Sequence, residues 1–338
     1  MAGQREERPV DVRRQQLDDW VSGQLGEPLA GEPASSDASF RRYFRYYPGV
    51  GAHGSVIAMD APPEQESCRP FVQVAALLRE VVWVPEILAE DQERGFLLLT
   101  DLGTTTLLQA LQRPLPQEEV RALYARAWSE LLQLQQLPCP DSLPRYGEAL
   151  LRQELELFPQ WYVQRHLGRS WGPAQREDWR QLTDLLCRRA QAQAQVLVHR
   201  DYMPRNLMVG GPRLGIIDFQ DAVCGPISYD PVSLLEDAFL SWPREVVVTG
   251  LRYYWRQAAA AGLPVPGDWE EFVLDCDLMA VQRHLKVVGI FARIHYRDGK
   301  PHYFADVQRF LGYLRGAAGR RPELLAPLDR LLDWVEQP

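Results

Sequence analysis

A carboxylate at Asp201, a carboxamide five positions later at Asn206 and a second carboxylate at Asp218 are the residues of this chain best suited to chemistry. Asp201 and Asn206 lie in the run Val198-His199-Arg200-Asp201-Tyr202-Met203-Pro204-Arg205-Asn206-Leu207-Met208-Val209-Gly210, and Asp218 closes the apolar stretch Gly215-Ile216-Ile217. Two oxygen ligands, one from a tight loop and one from a strand end, can meet at one hard cation that prefers oxygen donors in octahedral geometry. The remaining carboxylate must lie within hydrogen-bond reach of a hydroxyl while staying outside the metal's inner coordination sphere. The chemistry implied is phosphoryl transfer: Asp201 accepts or orients the proton of an acceptor alcohol, and Asn206 and Asp218 hold Mg2+ against nucleotide phosphates. Such a reaction depends on positioning and charge neutralisation more than on covalent help.

Short apolar runs precede both acids, Val196 to Val198 and Leu214 to Ile217, with a turn marked by Gly210, Gly211 and Pro212 between them. The two runs are expected to pair as a hairpin. Upstream, residues 9–26 carry helical spacing with Leu17, Trp20, Val21 and Leu25 on one face, and a stretch rich in Gly, Pro, Ser and Asp covers 26–38. Strand-like runs at 40–47 and 55–60 flank a turn at 48–54, followed by a helix over 64–82 and strands at 87–90 and 96–100. From Thr104 onward long helical patterns take over, at 118–137, 145–167 and 177–195, and beyond the motif at 233–241, 243–261, 268–296, 304–317 and 322–336. The fold expected is α+β and bilobal. A small, mainly β N-terminal lobe with one or two helices spans 1–102, and a large, mainly helical C-terminal lobe spans 103–338.

The net charge of −8 argues against nucleic acid as a partner, because phosphate backbones require a basic face. No apolar stretch reaches the roughly 18 to 20 residues needed to cross a bilayer, so no membrane partner is expected. Residues 1–14 are charged throughout and lack an apolar core of the secretory kind. The five cysteines, Cys68, Cys139, Cys187, Cys224 and Cys276, are odd in number and widely spaced. They read as free thiols of a cytoplasmic protein.

The pair His-Arg-Asp-Tyr-Met-Pro-Arg-Asn at 199–206 and Asp-Phe-Gln-Asp-Ala at 218–222, followed by Gly225-Pro226-Ile227-Ser228-Tyr229-Asp230-Pro231, resembles the aminoglycoside phosphotransferase and choline kinase-like superfamily. Residues 282–293, 36–44 and Met59-Asp60-Ala61-Pro62-Pro63 look like the anomeric N-acetylmuramate and N-acetylglucosamine kinases within it. That resemblance implies a protein kinase-like fold and ATP-dependent phosphorylation of the C1 hydroxyl of an amino sugar in cytosolic cell-wall recycling. It makes Asp201 the base, Asn206 and Asp218 the magnesium ligands, and Asp230 a structural acid that steadies the catalytic loop. Choline, homoserine and aminoglycosides are the alternative acceptors, and a nucleotide-binding pseudokinase is the alternative of another class. Only eleven residues separate Asp218 from Asp230 and no Ala-Pro-Glu follows, so there is no platform for a protein substrate.

The remaining contacts are expected as follows. Ser36 and Ser39, in the phosphate-covering segment, offer donors to ATP. Met59 stands where kinases place a phosphate-neutralising lysine, so Arg42 or Arg45 is expected to replace that charge. The connector Leu99, Thr100, Asp101 and Leu102 receives the adenine through its backbone. Arg205 touches the acceptor or its phosphate, and Gln220 and Asp221 meet sugar hydroxyls, Asp221 equally suiting a turn cap. On the helix over 268–296, Leu278, Val281, Leu285, Val288 and Ala292 form an inward stripe, while Arg283, Lys286, Arg293 and Arg297 form a cationic one. A cationic face suits a sugar bearing a carboxylate and repels a polycationic aminoglycoside.

Overall fold

Asp11 starts the first helix, α1 (Val12–Leu25), by accepting from the Arg14 N–H at 3.0 Å, and Gly26 ends it in the left-handed region at φ 77°. The computed structural model describes residues 11–35, 40–49 and 54–337. They form two compact units that divide between Thr104 and Thr105.

The N-terminal unit is an antiparallel sheet of β1 (Glu32–Ser35), β2 (Arg42–Tyr46), β3 (Val56–Asp60), α2 (Arg69–Leu78) on the connection, then β4 (Ile87–Asp91) and β5 (Phe96–Thr100), in the order β1-β2-β3-β5-β4. Strand β1 falls inside the stretch read as irregular; its four residues have no apolar alternation to betray them. Alternation along β2 turns Phe44 and Tyr46 to one face, where they join Val56, Ala58, Phe96 and Leu98 against Leu17, Trp20 and Val21 of α1. Met59 points to the other face, fully buried between Tyr43 of β2 and Leu97 of β5. It fills core there, as a lysine could not without a partner.

The C-terminal unit opens with α3 (Leu107–Leu111), α4 (Gln117–Gln136) and α5 (Glu148–Leu155), then a π-helical stretch at Phe158–His166. The helix expected over 145–167 is broken there, with Pro159 at the start of the wider turn. Next come α6 (Pro173–Ala192), β6 (Gln195–Val198), β7 (Leu207–Met208), β8 (Gly215–Ile216), β9 (Val223–Pro226) and α7 (Tyr229–Leu235). The chain finishes with α8 (Arg244–Ala260), α9 (Trp269–Asp298), α10 (Val307–Arg320) and α11 (Ala326–Glu336). The expected hairpin is corrected in its pairing. Strand β6 pairs with β9, Leu197 opposite Cys224, whereas β7 pairs with β8 across the Gly210–Pro212 turn. The loop between β6 and β7 is thereby held from both sides.

Helix α9 is the central post of this unit, packed against α5, α6, α7, α8, α10 and the π-helical stretch. Gly289 lets it cross the chain at Leu157: a Cβ there would lie 2.4 Å from the Leu157 carbonyl carbon. The cysteine reading also needs correction. Cys139 and Cys224 form a disulfide, because backbone pairing of Cys224 with Pro144 and Tyr146 brings together parts of the chain 85 residues apart. Cys68, Cys187 and Cys276 are free and buried. Among the described residues no helix is long and apolar enough to cross a membrane.

Candidate active site

The loop between β6 and β7 carries Asp201 and Asn206, and its shape is set by backbone bonds. Asp230, fully buried at the start of α7, accepts from the N–H groups of His199 at 2.7 Å and Arg200 at 3.1 Å. Those bonds draw Arg200 into the left-handed region, φ 73°, a conformation that costs a non-glycine residue on the order of 1–3 kcal/mol and persists only where neighbours enforce it. The Asp201 carbonyl then accepts from the Met203 N–H and from the Asn206 amide, both at 2.9 Å. Asn206 spends its Nδ2 on that bond. Its backbone carbonyl accepts from Ile217 N–H at 3.1 Å, which seats Asn206 beside the end of β8, directly before Asp218. Asp218 is itself left-handed, φ 65°, and its Oδ1 accepts from the Gln220 amide at 2.8 Å.

The arrangement suits a magnesium ion. Such an ion takes one or two protein oxygens, with water and phosphate completing its octahedron, and Asn206 and Asp218 offer side-chain oxygens on adjoining backbone. Gln220, buried next to them, keeps an Oε1 with no hydrogen-bond partner in the structure. A larger cluster of His, Cys, Asp or Glu able to hold a metal is absent among the described residues.

His199 lies under the loop. Its Nε2 faces the Ile217 carbonyl at 3.1 Å, and its Nδ1 accepts from the Asp201 N–H at 3.2 Å, so the hydrogen bonds select the neutral Nε2–H tautomer. Burial pulls its pKa down to about 4. The unfolded chain takes up a proton below about 6.5 and the native state does not, so stability is lost as pH falls from there towards 4. Burial also pushes the Asp230 carboxyl up to about 7, against the N–H donors and Arg283, which gives the opposite slope between about 3.8 and 7. The comparison that isolates the histidine is therefore with His199→Gln. In urea unfolding, the stability of the natural protein relative to that variant should shrink by about 2 kcal/mol between pH 7.5 and pH 5.

Arg205 lies with its guanidinium 4.9 Å from the centre of the Phe239 ring. Asp221 is exposed, and its carbonyl accepts from Arg200 at 3.3 Å. The expectation that Arg283 and Lys286 form an open cationic stripe is corrected. Helix α9 has no solvent face in its middle, and both residues are buried with their charges engaged inside the protein. Arg283 donates to the Arg200 carbonyl at 3.1 Å and covers the Tyr229 ring at 4.8 Å. Lys286 meets Glu154 at 2.9 Å and Tyr229 at 3.2 Å. Glu154, Tyr146 and Gln282 were not singled out from the sequence. The signal available was an acid at an inward helical position, between Leu151 and Leu155.

In the N-terminal unit the guanidiniums expected at phosphate are already matched. Arg42 holds Asp60 at 2.7 Å and also Asp11, while Arg45 forks onto Asp101 at 2.5 and 3.1 Å. Asp101 further accepts from Ser55 at 2.7 Å and the Gly103 N–H at 2.9 Å. A phosphate would have to displace the buried carboxylate of Asp60 from Arg42 or that of Asp101 from Arg45, so the replacement of the missing lysine by either arginine does not fit this geometry. Leu99 and Thr100 are paired within the sheet, and Leu102 is buried. Ser36 and Ser39 lie outside the described residues.

Residues 30–271, most of the chain, match the phosphotransferase enzyme family. The chain belongs to that family. This phosphotransferase is 53% identical over 334 residues to the N-acetylmuramate/N-acetylglucosamine kinase of Pseudomonas putida, covering 95% of this chain and 96% of that one. It is 50% identical over 339 residues to the Pseudomonas aeruginosa protein of the same name, covering 97% and 98%. The solved structure of a choline kinase from Streptococcus pneumoniae is similar with a TM-score of 0.64 at 12% identity, over 90% of the phosphotransferase and 98% of that chain. The fold is thus the kinase-like α+β fold expected from the sequence.

Proposed function

We propose that the protein transfers the γ-phosphoryl group of ATP to the anomeric C1 hydroxyl of N-acetylmuramate or N-acetylglucosamine, in the cytoplasm and in the service of cell-wall recycling. The observation that carries this reading is the loop at 199–206, which engages Asp201 through its backbone N–H and carbonyl and seats Asn206 against the chain directly before Asp218. Full-length kinship with two kinases of that sugar pair supplies the acceptor.

Asp201 takes the proton of the C1 hydroxyl as its oxygen bonds to the γ-phosphorus, and ADP departs with the electron pair of the broken bond. Asn206 and Asp218 would hold magnesium, which when bound would neutralise the charge of the phosphates. Gln220 fixes the Asp218 carboxylate, and Arg205, on the same loop as Asp201, meets the acceptor or the transferred phosphate. Asp221, which is exposed, meets a sugar hydroxyl in this reading. Nucleic acids, membranes and proteins are not substrates in this reading.

An acceptor panel tests it. The protein is incubated with ATP, magnesium and, separately, N-acetylmuramate, N-acetylglucosamine, choline, homoserine and an aminoglycoside, with ADP release followed and the product phosphate located by NMR. Phosphate at C1 of one or both amino sugars is expected. Turnover confined to another acceptor, or phosphate at another hydroxyl, overturns the assignment.

A further inference from the structure

Glu154 has no part in the chemistry just described, yet it is the most heavily bonded carboxylate near the loop. Its two oxygens receive the Arg200 guanidinium, the Tyr146 hydroxyl, the Gln282 amide at 3.2 Å and the Lys286 ammonium at 2.9 Å. Those four donors match the four lone-pair positions a carboxylate offers. Burial works against its charge, but Lys286 and Arg200 outweigh burial and hold its pKa at about 2.

The bond to Arg200 is the informative one. Arg200 precedes Asp201 and is one of the two non-glycine residues at positive φ among the described residues. Its N–H is held by Asp230, its carbonyl by Arg283 and its side chain by Glu154. The direction in which the chain leaves Arg200 is the direction in which Asp201 is presented. Arg283 and Lys286 both sense the Asp201 carboxylate, so this buried cluster and the base are parts of one electrostatic unit.

We propose that Glu154 is a positioning residue for phosphoryl transfer: through Arg200 it holds the left-handed turn that aims Asp201 at the acceptor hydroxyl. The proposal rests on the reading of Asp201 as the base. In many kinases the equivalent of a loop-ordering anion is added by phosphorylation, which creates new arginine–phosphate pairs. Here an internal carboxylate occupies that role permanently.

The test is a cycle of Glu154→Gln and Asp201→Asn in the full chain, assayed with ATP, magnesium and N-acetylmuramate or N-acetylglucosamine. Glu154→Gln should lower kcat about 100-fold, the size of effect expected when a reacting group is misplaced by about 1 Å, with both KM values within about threefold. On the Asp201→Asn background the same change should cost under about threefold, since no base remains to be aimed. A role in stability alone would lower activity by the same factor on both backgrounds, and that result overturns the proposal, as does an unchanged kcat. Should Asp201→Asn by itself keep full kcat, the assignment of the base fails and the proposal falls with it, a distinct result. If Glu154→Gln shows no cooperative unfolding transition, Glu154→Asp decides instead. It keeps the charge but withdraws the carboxylate by about one C–C bond, ~1.5 Å, so kcat should fall about 10-fold at constant KM. An unchanged kcat there overturns the proposal.

Discussion

Replacing Asp201 with asparagine should reduce kcat on the order of 10³- to 10⁴-fold while the protein still folds and binds ATP. The expectation of an intact fold comes from how the loop is built. Asp201 enters its structural bonds through backbone atoms: its N–H donates to His199, and its carbonyl accepts from Met203 and Asn206. Asparagine keeps every one of these and removes only the basic oxygen. Steady-state kinetics with thermal melting beside them checks both halves. Turnover within tenfold of the natural enzyme would mean that the acceptor loses its proton to another group.

Asp218→Asn should be nearly as damaging, with a different signature. Asn is the substitution of choice because Asp218 sits at φ 65°, a conformation asparagine tolerates better than most residues. The change removes charge where the cation belongs while leaving the Gln220 amide an oxygen to bond. We expect kcat to fall on the order of 10³-fold and the magnesium concentration for half-maximal rate to rise more than 10-fold. A magnesium titration of the rate, together with calorimetric titration of MgATP into the variant, checks this. An unaltered magnesium dependence would remove Asp218 from the ligand set.

The loop, and the Asn206 and Asp218 it brings onto adjoining backbone, were legible in the sequence because phosphoryl-transfer chemistry demands fixed residue types at short range, and short range survives folding. The amphipathic α1 and the inward stripe of α9 were legible for a similar reason: one face of a periodic pattern must be buried. Pairing was not. Runs 196–198 and 214–217 look like partners by proximity, but β6 finds β9 because the loop and the β7–β8 hairpin are inserted between them. The cationic stripe of α9 misled for a deeper reason. Helical periodicity separates faces, but it cannot tell a solvated face from one enclosed by other helices, and Arg283 and Lys286 are enclosed. Likewise Arg42 and Arg45 could be placed on opposite faces of β2, but their partners Asp60 and Asp101 lie 18 and 56 residues away. Distances of that kind belong to the tertiary structure alone.

The eleven residues from Phe219 to Tyr229 hold β9, paired to β6, and end at the acid that clasps the loop. All of this span except Asp221 is buried, and the Arg200 guanidinium beside it is already paired with Glu154. The loop is braced from within, by carboxylates the chain itself supplies.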